Sequence, residues 1–218
     1  MTLADPHAAT PVLVAGAPLA EAHVAVVLVH GRGASAEDIL GFSGALARPG
    51  VAFLAPQAAE HTWYPQRFLA PLAANEPWLT SALGKLGELR LRVAAAGIPE
   101  ERLVWLGFSQ GACLASEFVA RHPRRWGGLI AAVGGRIGPQ GMAFDGAGDL
   151  AGTPVYLGCG DTDPHIPWHR VAETAAAFSR QNAAVTLRRY PGFPHTVHPE
   201  AISFARHLLA ELGLSERG

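Results

Sequence analysis

The segment from Leu103 to Arg121 limits the possible folds of this chain more than any other. Its first residues, Leu103–Leu106, are apolar and rich in strand formers, which predicts a buried strand. Gly107-Phe108-Ser109-Gln110-Gly111 follows, and Ala112–Arg121 then predicts a helix that stops before Pro123. Because a turn this short crowds the backbone, small residues must lie on both sides of the serine.

The same turn predicts a nucleophilic serine. A sharp strand-to-helix turn holds the Ser109 hydroxyl clear of the sheet, and the backbone N–H of Gln110 points to where an oxyanion would form. Glycine is abundant here, with 25 residues, so Gly-x-Ser-x-Gly could also occur by chance in a loop. Its position between a predicted strand and a predicted helix favours catalysis, which also requires a histidine, a carboxylate and a second oxyanion donor.

Length and charge exclude several classes of protein. The 218 residues suit one domain over residues 1–218, and a net charge of −1 without a basic block predicts no nucleic-acid partner. We expect no membrane span, because the first long apolar run is too short, and no secretory signal or disulfide framework. We therefore expect a cytoplasmic location. The sequence leaves the oligomeric state open, with a homodimer as one alternative.

Strands and helices alternate along the chain, which predicts an α/β fold with a mostly parallel central sheet and helices on both faces. Apolar runs predict the further strands, which are Pro11–Ala17 at an edge, Ala22–Val29, Val51–Ala55, Gly128–Val133, Pro154–Gly158 and Val185–Tyr190. Periodic segments predict the other helices, which are Ser35–Ala47, Glu76–Ala96, Trp168–Asn182 and a closing helix that ends near Leu212.

Two segments lack a clear period. Residues 1–10 predict a loosely ordered start, and residues 57–75 form a connection long enough to be a flap over a site. Five apolar side chains in or near such a flap are candidates for an acyl pocket, namely Trp63, Tyr64, Phe68, Leu69 and Trp168. If they line the pocket, activity favours short or medium acyl chains; the same residues are also typical of core packing.

Candidates for the acid and the base follow the last two predicted strands, where parallel sheets place their sites. Asp163 precedes a proline and has a restricted backbone, so we predict that it orients the base. Asp161 can cap the turn by accepting from backbone N–H groups. The alternative is that both aspartates only cap a loop. His195 lies in the final loop and is the predicted base, whereas His198 lies where the last helix begins. The order Ser109, Asp163, His195 is that of the α/β-hydrolases.

The loop after the first strong strand completes the predicted site. Gly31 allows close approach of the backbone to a substrate, so we expect the amides of Arg32 and Gln110 to form an oxyanion hole. The reaction would then be hydrolysis of carboxylic esters, and of thioesters as an alternative, on small-molecule substrates and without a cofactor or a metal.

Four motifs resemble the phospholipase/carboxylesterase family, the acyl-protein-thioesterase-like branch of the α/β-hydrolases. They are Leu28-Val29-His30-Gly31, Gly107-Phe108-Ser109-Gln110-Gly111-Ala112, the stretch from Gly160 to Pro167, and Pro194-His195. The resemblance covers Val24 to Leu209 and implies Ser109 as nucleophile, Asp163 as acid, His195 as base, and Arg32 and Gln110 as oxyanion donors. Gly-Arg-Gly-Ala after His30 departs from the Gly-Leu-Gly-Asp usual in thioesterase relatives, which bears on the substrate rather than on the reaction.

Three other functions match parts of the sequence. Gly31-x-Gly33-x-x-Ala36 matches a dinucleotide-binding fingerprint in form, but Ala55-Pro56-Gln57 lacks the acidic residue that the ribose requires. A metal-dependent hydrolase could use His165 and His169 with the late histidines, although the usual ligand spacings are absent. An inactive binding protein of hydrolase fold is the third alternative, since a fold does not fix a function.

Overall fold

A seven-stranded sheet with the order β1-β3-β2-β4-β5-β6-β7 forms the centre of the computed structural model, which describes residues 5–144 and 147–214. The strands are β1 Val12–Gly16, β2 Val24–Val29, β3 Val51–Pro56, β4 Leu103–Phe108, β5 Gly128–Ala132, β6 Pro154–Gly160 and β7 Ala184–Tyr190. Only β1 runs antiparallel to its neighbour, β3, and every other pairing is parallel. The predicted fold class is therefore confirmed.

Six α-helices in the described part of the chain cover the two faces of the sheet. They are α1 Ala36–Leu40, α2 Ser43–Leu46, α3 Trp78–Ala95, α4 Gln110–Arg121, α5 Trp168–Arg180 and α6 Pro199–Leu214. One apolar cluster joins α3, α4 and α5 to one face, and a second cluster joins α1, α2 and α6 to the other. The strands β2 and β3 are buried along their whole length, which explains why they read as unbroken apolar runs.

The predicted helix over Ser35–Ala47 is wrong in its extent. Ser35 caps α1 as expected, because its Oγ accepts from the Asp38 N–H at 3.2 Å and the Asp38 carboxylate accepts from the Ser35 N–H at 2.8 Å. The helix then stops at Gly41, and the shorter α2 begins at Ser43. The α-helical hydrogen bonding is interrupted there, because the N–H groups of Phe42 and Ala45 bond to carbonyls only three residues back.

The start of the chain is packed rather than loosely ordered from residue 5 onward, which corrects the prediction for residues 1–10; residues 1–4 lie outside the described part. The His7 side chain is fully buried, and its backbone N–H donates to Ser81 Oγ at 2.9 Å. Asp5 accepts a hydrogen bond from the same serine hydroxyl. Ser81 thus ties the start of the chain to α3, and Lys85 of the same helix donates to the Thr10 carbonyl at 2.7 Å, contacts that composition does not reveal.

Residues 57–75, called here the flap segment, run over the carboxyl ends of the strands with two short 3-10 turns, Ala59–His61 and Leu72–Asn75. Its tryptophan, Trp63, is fully buried. In the described part of the chain no helix is both long and apolar enough to cross a membrane.

Candidate active site

Ser109 lies at the turn between β4 and α4, with φ 53° and ψ −119°. That backbone conformation is strained for a residue with a side chain and is held by close packing on both sides. A Cβ on Gly107 would overlap the backbone of Gly111, and a Cβ on Gly111 would overlap the carbonyl oxygen of Val29 in β2. The two glycines therefore allow the turn to form against the sheet, with Ser109 at its tip.

The structure brings the predicted nucleophile, base and acid together in one hydrogen-bonded line. His195 Nε2 lies 2.9 Å from Ser109 Oγ, and His195 Nδ1 lies 2.7 Å from Asp163 Oδ2. The other oxygen of Asp163, Oδ1, accepts from the N–H groups of His165 and Ile166, both at 2.8 Å. The Asp163 carboxylate is thus buried, fixed and aimed at the ring.

The two alternative residues make other contacts. Asp161 accepts from the Gly192 N–H at 2.9 Å and lies 3.7 Å from the Arg189 guanidinium. His198 stacks on Tyr190 with ring centroids 3.6 Å apart, and its Nδ1 accepts from the backbone N–H at the start of α6. Asp161 therefore braces the final loop, and His198 is a helix cap, as its place before Pro199 suggests.

Arg32 and Gln110 line the same cavity as Ser109, and their backbone N–H groups have no hydrogen-bond partner among the described residues. Gln110 is the first residue of α4, so its N–H has no partner inside the helix. The N–H of Arg32 makes no hydrogen bond within residues 5–144 and 147–214. A Cβ placed on Gly31 would lie 3.4 Å from that of Ser109, so the loop after β2 lies directly against the serine. This is the arrangement that an oxyanion hole requires.

A cavity of about 430 Å³ opens onto the serine. Tyr64 and Phe68 line it, together with Cys113 and Ile166, which the sequence analysis did not select. Three candidates for the acyl pocket lie outside its lining, and these are Trp63, Leu69 and Trp168. Leu69 and Trp168 pack against the core instead, and the Arg189 guanidinium lies over the Trp168 ring at 5.5 Å.

Trp63 lies outside the cavity because it anchors the flap segment to His30 and His7. Its indole N–H donates to the His30 carbonyl at 2.9 Å, and its own carbonyl accepts from His7 Nε2 at 3.0 Å. Its ring also packs against the rings of His30 and His7, at 4.9 and 5.4 Å between centroids. Tyr64, the next residue, then faces the opposite side and reaches the cavity.

The side chains of Arg32 and Gln110 fix the part of the flap segment that lines the cavity, a role that the sequence analysis missed. The Arg32 guanidinium donates to the carbonyls of Tyr64, Pro65 and Gln66, at 2.8, 2.9 and 2.7 Å. The Gln110 amide donates to the Tyr64 carbonyl at 2.8 Å, and its oxygen accepts from the Trp63 N–H at 3.0 Å. No sequence pattern signals such contacts, because carbonyl acceptors exist at every residue.

The model of one protein family, described as phospholipase/carboxylesterase, matches residues 12–212. The chain belongs to this family. The match includes every strand of the sheet and the three hydrogen-bonded residues Ser109, His195 and Asp163, and the resemblance inferred from the four motifs is confirmed.

Individual family relatives support the same assignment. Acyl-protein thioesterase 1 from Cryptococcus neoformans is 26% identical, with 88% of this chain and 93% of the relative covered. The crystal structure of a phospholipase/carboxylesterase from Dyadobacter fermentans is 41% identical, with a TM-score of 0.88 over 93% of this chain and 97% of that one. Esterase PE8 shares the fold, at 24% identity and a TM-score of 0.75 over 93% and 99% of the two chains. The protein is therefore a hydrolase of carboxylic esters or thioesters.

Two other ionisable groups beside the cavity, the Cys113 thiol and the Tyr64 hydroxyl, stay neutral at physiological pH. Burial raises the pKa of the Cys113 thiol to about 12, and burial also holds the pKa of the Tyr64 hydroxyl well above its usual value. Cys113 is consequently a thiol and a poor nucleophile. Among the residues that the structure describes, no three His, Cys, Asp or Glu side chains form a group that could hold a metal ion.

Proposed function

We propose that this protein is a serine carboxylesterase, with Ser109 as nucleophile, His195 as general base and Asp163 as the residue that orients it. The observation that carries the proposal is the continuous line of hydrogen bonds from Asp163 through His195 to Ser109, at 2.7 and 2.9 Å. The nucleophile and the base must lie within hydrogen-bond reach, and a third group must hold the base.

In the first half of the proposed reaction, Ser109 Oγ attacks the carbonyl carbon while its proton passes to His195 Nε2. The tetrahedral intermediate collapses, the bond to the leaving group breaks, and His195 returns the proton to the departing alcohol or thiol. Water then attacks the acyl-Ser109 ester, its proton passes to His195 and then to Ser109 Oγ, and the free acid leaves. No step requires a cofactor.

The oxyanion of both intermediates would lie between the N–H groups of Arg32 and Gln110. The two amides are held in place before substrate binds, because the side chains of the same two residues are bonded to the flap segment. Preorganised donors of this kind lower the barrier without reorganisation during the reaction.

The cavity favours short or medium acyl chains. Its volume of about 430 Å³ is modest, and the aromatic side chains of Tyr64 and Phe68 take up part of its wall. Trp63 no longer belongs to this proposal, since it anchors the flap segment. A cytoplasmic location, a single domain and the homodimer alternative remain predictions from the sequence.

Replacement of the nucleophile tests the proposed reaction. Ser109→Ala removes the attacking oxygen, so we expect turnover of p-nitrophenyl acetate to fall by at least about a thousandfold. Ser203→Ala, at an exposed position on α6, is the matched control and should retain full activity. A fluorophosphonate should label the wild-type protein on Ser109 and leave Ser109→Ala unlabelled. Near-wild-type turnover by Ser109→Ala would falsify the mechanism.

A further inference from the structure

The charged residues that line the active-site cavity are all of one sign. Two arginines, Arg32 and Arg67, border the space in front of Ser109. None of the described residues that line this cavity is an aspartate or a glutamate, since Asp163 is buried behind the ring of His195. A cavity with this lining attracts anions and repels cations.

Arg67 is the more available of the two arginines. It is exposed, and its guanidinium has no hydrogen bond or ion pair to any residue in the described part of the chain. Guanidinium groups present several N–H donors in a planar fork that matches a carboxylate. Those donors are therefore free to bind a ligand at the cavity mouth.

The backbone that carries Arg67 is fixed, which separates this residue from an ordinary mobile surface arginine. The buried Asn75 side chain accepts from the Gln66 N–H at 2.8 Å and donates to the Arg67 carbonyl at 3.4 Å. The next residue, Phe68, accepts from the Gly138 N–H at 2.8 Å. These contacts fix the backbone on both sides of Arg67, so its side chain starts from a fixed position in the cavity lining.

Arg32 adds positive charge that no carboxylate neutralises within the described residues. Its three side-chain hydrogen bonds all go to neutral backbone carbonyls of the flap segment. These bonds fix its direction and leave its full charge at the rim. An anion bound to Arg67 would thus also lie in the field of Arg32.

We propose that the natural substrate is an ester that carries an ionised carboxylate, which Arg67 binds at the cavity mouth while Ser109 attacks the ester carbonyl. The proposal rests on the esterase function proposed above and specifies its substrate class. A carboxylate is small enough to share the cavity with an ester group, and it matches the planar guanidinium with two parallel hydrogen bonds. Arg67 is in this role a specificity residue.

Two matched substrate pairs test the proposal by pH-stat at low ionic strength. Monomethyl glutarate against dimethyl glutarate places the charge on the acyl side, and 4-acetoxybenzoate against its methyl ester places it on the leaving group. We expect the charged member of at least one pair to have a kcat/KM about tenfold higher or more, the usual effect of one charge-assisted hydrogen bond. The preference should shrink as salt is added, because ions screen exposed charges.

Variants at two arginines assign the effect. Arg67→Gln should lower the preference for the charged ester about tenfold, and Arg67→Lys should retain part of it, since lysine keeps the charge without the planar fork. Arg48→Gln removes one exposed charge near the start of β3 and should leave the preference unchanged. Preference for the neutral member of both pairs, or an unchanged preference in Arg67→Gln, would overturn the proposal. Hydrolysis of the neutral esters, abolished by Ser109→Ala, would meanwhile still support the esterase function.

Discussion

Two buried histidines hold the start of the flap segment through hydrogen bonds that require a neutral ring. The Ala59 N–H donates to His7 Nδ1 and the Ala58 N–H donates to His30 Nε2, both at 3.1 Å. The accepting nitrogen cannot carry a proton, so the proton of each ring lies on the other nitrogen. Burial lowers the pKa of both histidines below the usual value, and this outweighs the opposing hydrogen bonds from their rings to the carbonyls of Trp63 and Gly31.

This pair of histidines predicts a loss of stability in mild acid. Below about pH 6.5 the histidines of the unfolded chain bind protons, whereas the buried rings of the folded protein stay neutral. The contribution of the two histidines to stability is therefore fully present above this pH and is lost as the pH decreases. Between pH 7.5 and 5.5 we expect the free energy of unfolding to decrease by up to about 1.4 kcal/mol for each histidine. Urea denaturation at the two pH values measures this decrease in the free energy of unfolding.

The matched variants for that measurement are His7→Gln and the exposed His207→Gln. His7→Gln cannot titrate and should show a smaller difference between the two pH values than the wild type. His207→Gln should retain the wild-type difference. An equal pH dependence in all three proteins would show that His7 does not contribute.

At the scale of the elements, the site depends on how closely α4 approaches the neighbouring strands. Gly111, in the first turn of α4, lies against the carbonyl oxygen of Val29 in β2, and Gly107 at the end of β4 lies against the same turn. This close approach aligns the Ser109 hydroxyl with the loop that carries the Arg32 N–H. The two glycines are therefore needed for the short distance between α4 and the strands, as well as for the strained turn at Ser109.

Alanine substitutions separate this contact from the general effect of glycine in a helix. Gly111→Ala should destabilise the protein by about 3 kcal/mol or more, because its methyl group would overlap backbone that cannot move aside. Gly84→Ala, in the middle of α3 with open space around it, should stabilise by about 0.5–1 kcal/mol. Thermal denaturation of both variants provides the test, and similar midpoints would contradict the packing argument.

At the scale of the whole molecule, the parallel sheet gathers the site from five distant parts of the sequence. The loops after β2, β3, β4, β6 and β7 emerge from the same edge because these strands point in the same direction. The sequence was sufficient to predict the fold and to nominate Ser109, Asp163 and His195, since strand periodicity and the Gly-x-Ser-x-Gly turn are local signals.

The remaining features depend on contacts between segments that are far apart in the sequence. Trp63 and Tyr64 are adjacent and both aromatic, yet one anchors the flap segment against His7 and the other faces the cavity. The direction of each side chain is set by partners such as Gln110, which is 47 residues from Trp63. The packed start of the chain has the same origin, because His7 makes its contacts with α3 and the flap segment.

The central claim is that His195, in line with Asp163 and Ser109, is the base of the reaction, and kcat of two histidine variants tests it most directly. With p-nitrophenyl acetate as substrate, His195→Ala should lower kcat by about a thousandfold or more, as loss of a triad member does. His198→Ala should lower it by at most about tenfold, through the positioning of the final loop. The reverse ranking, or small losses in both variants, would contradict the account.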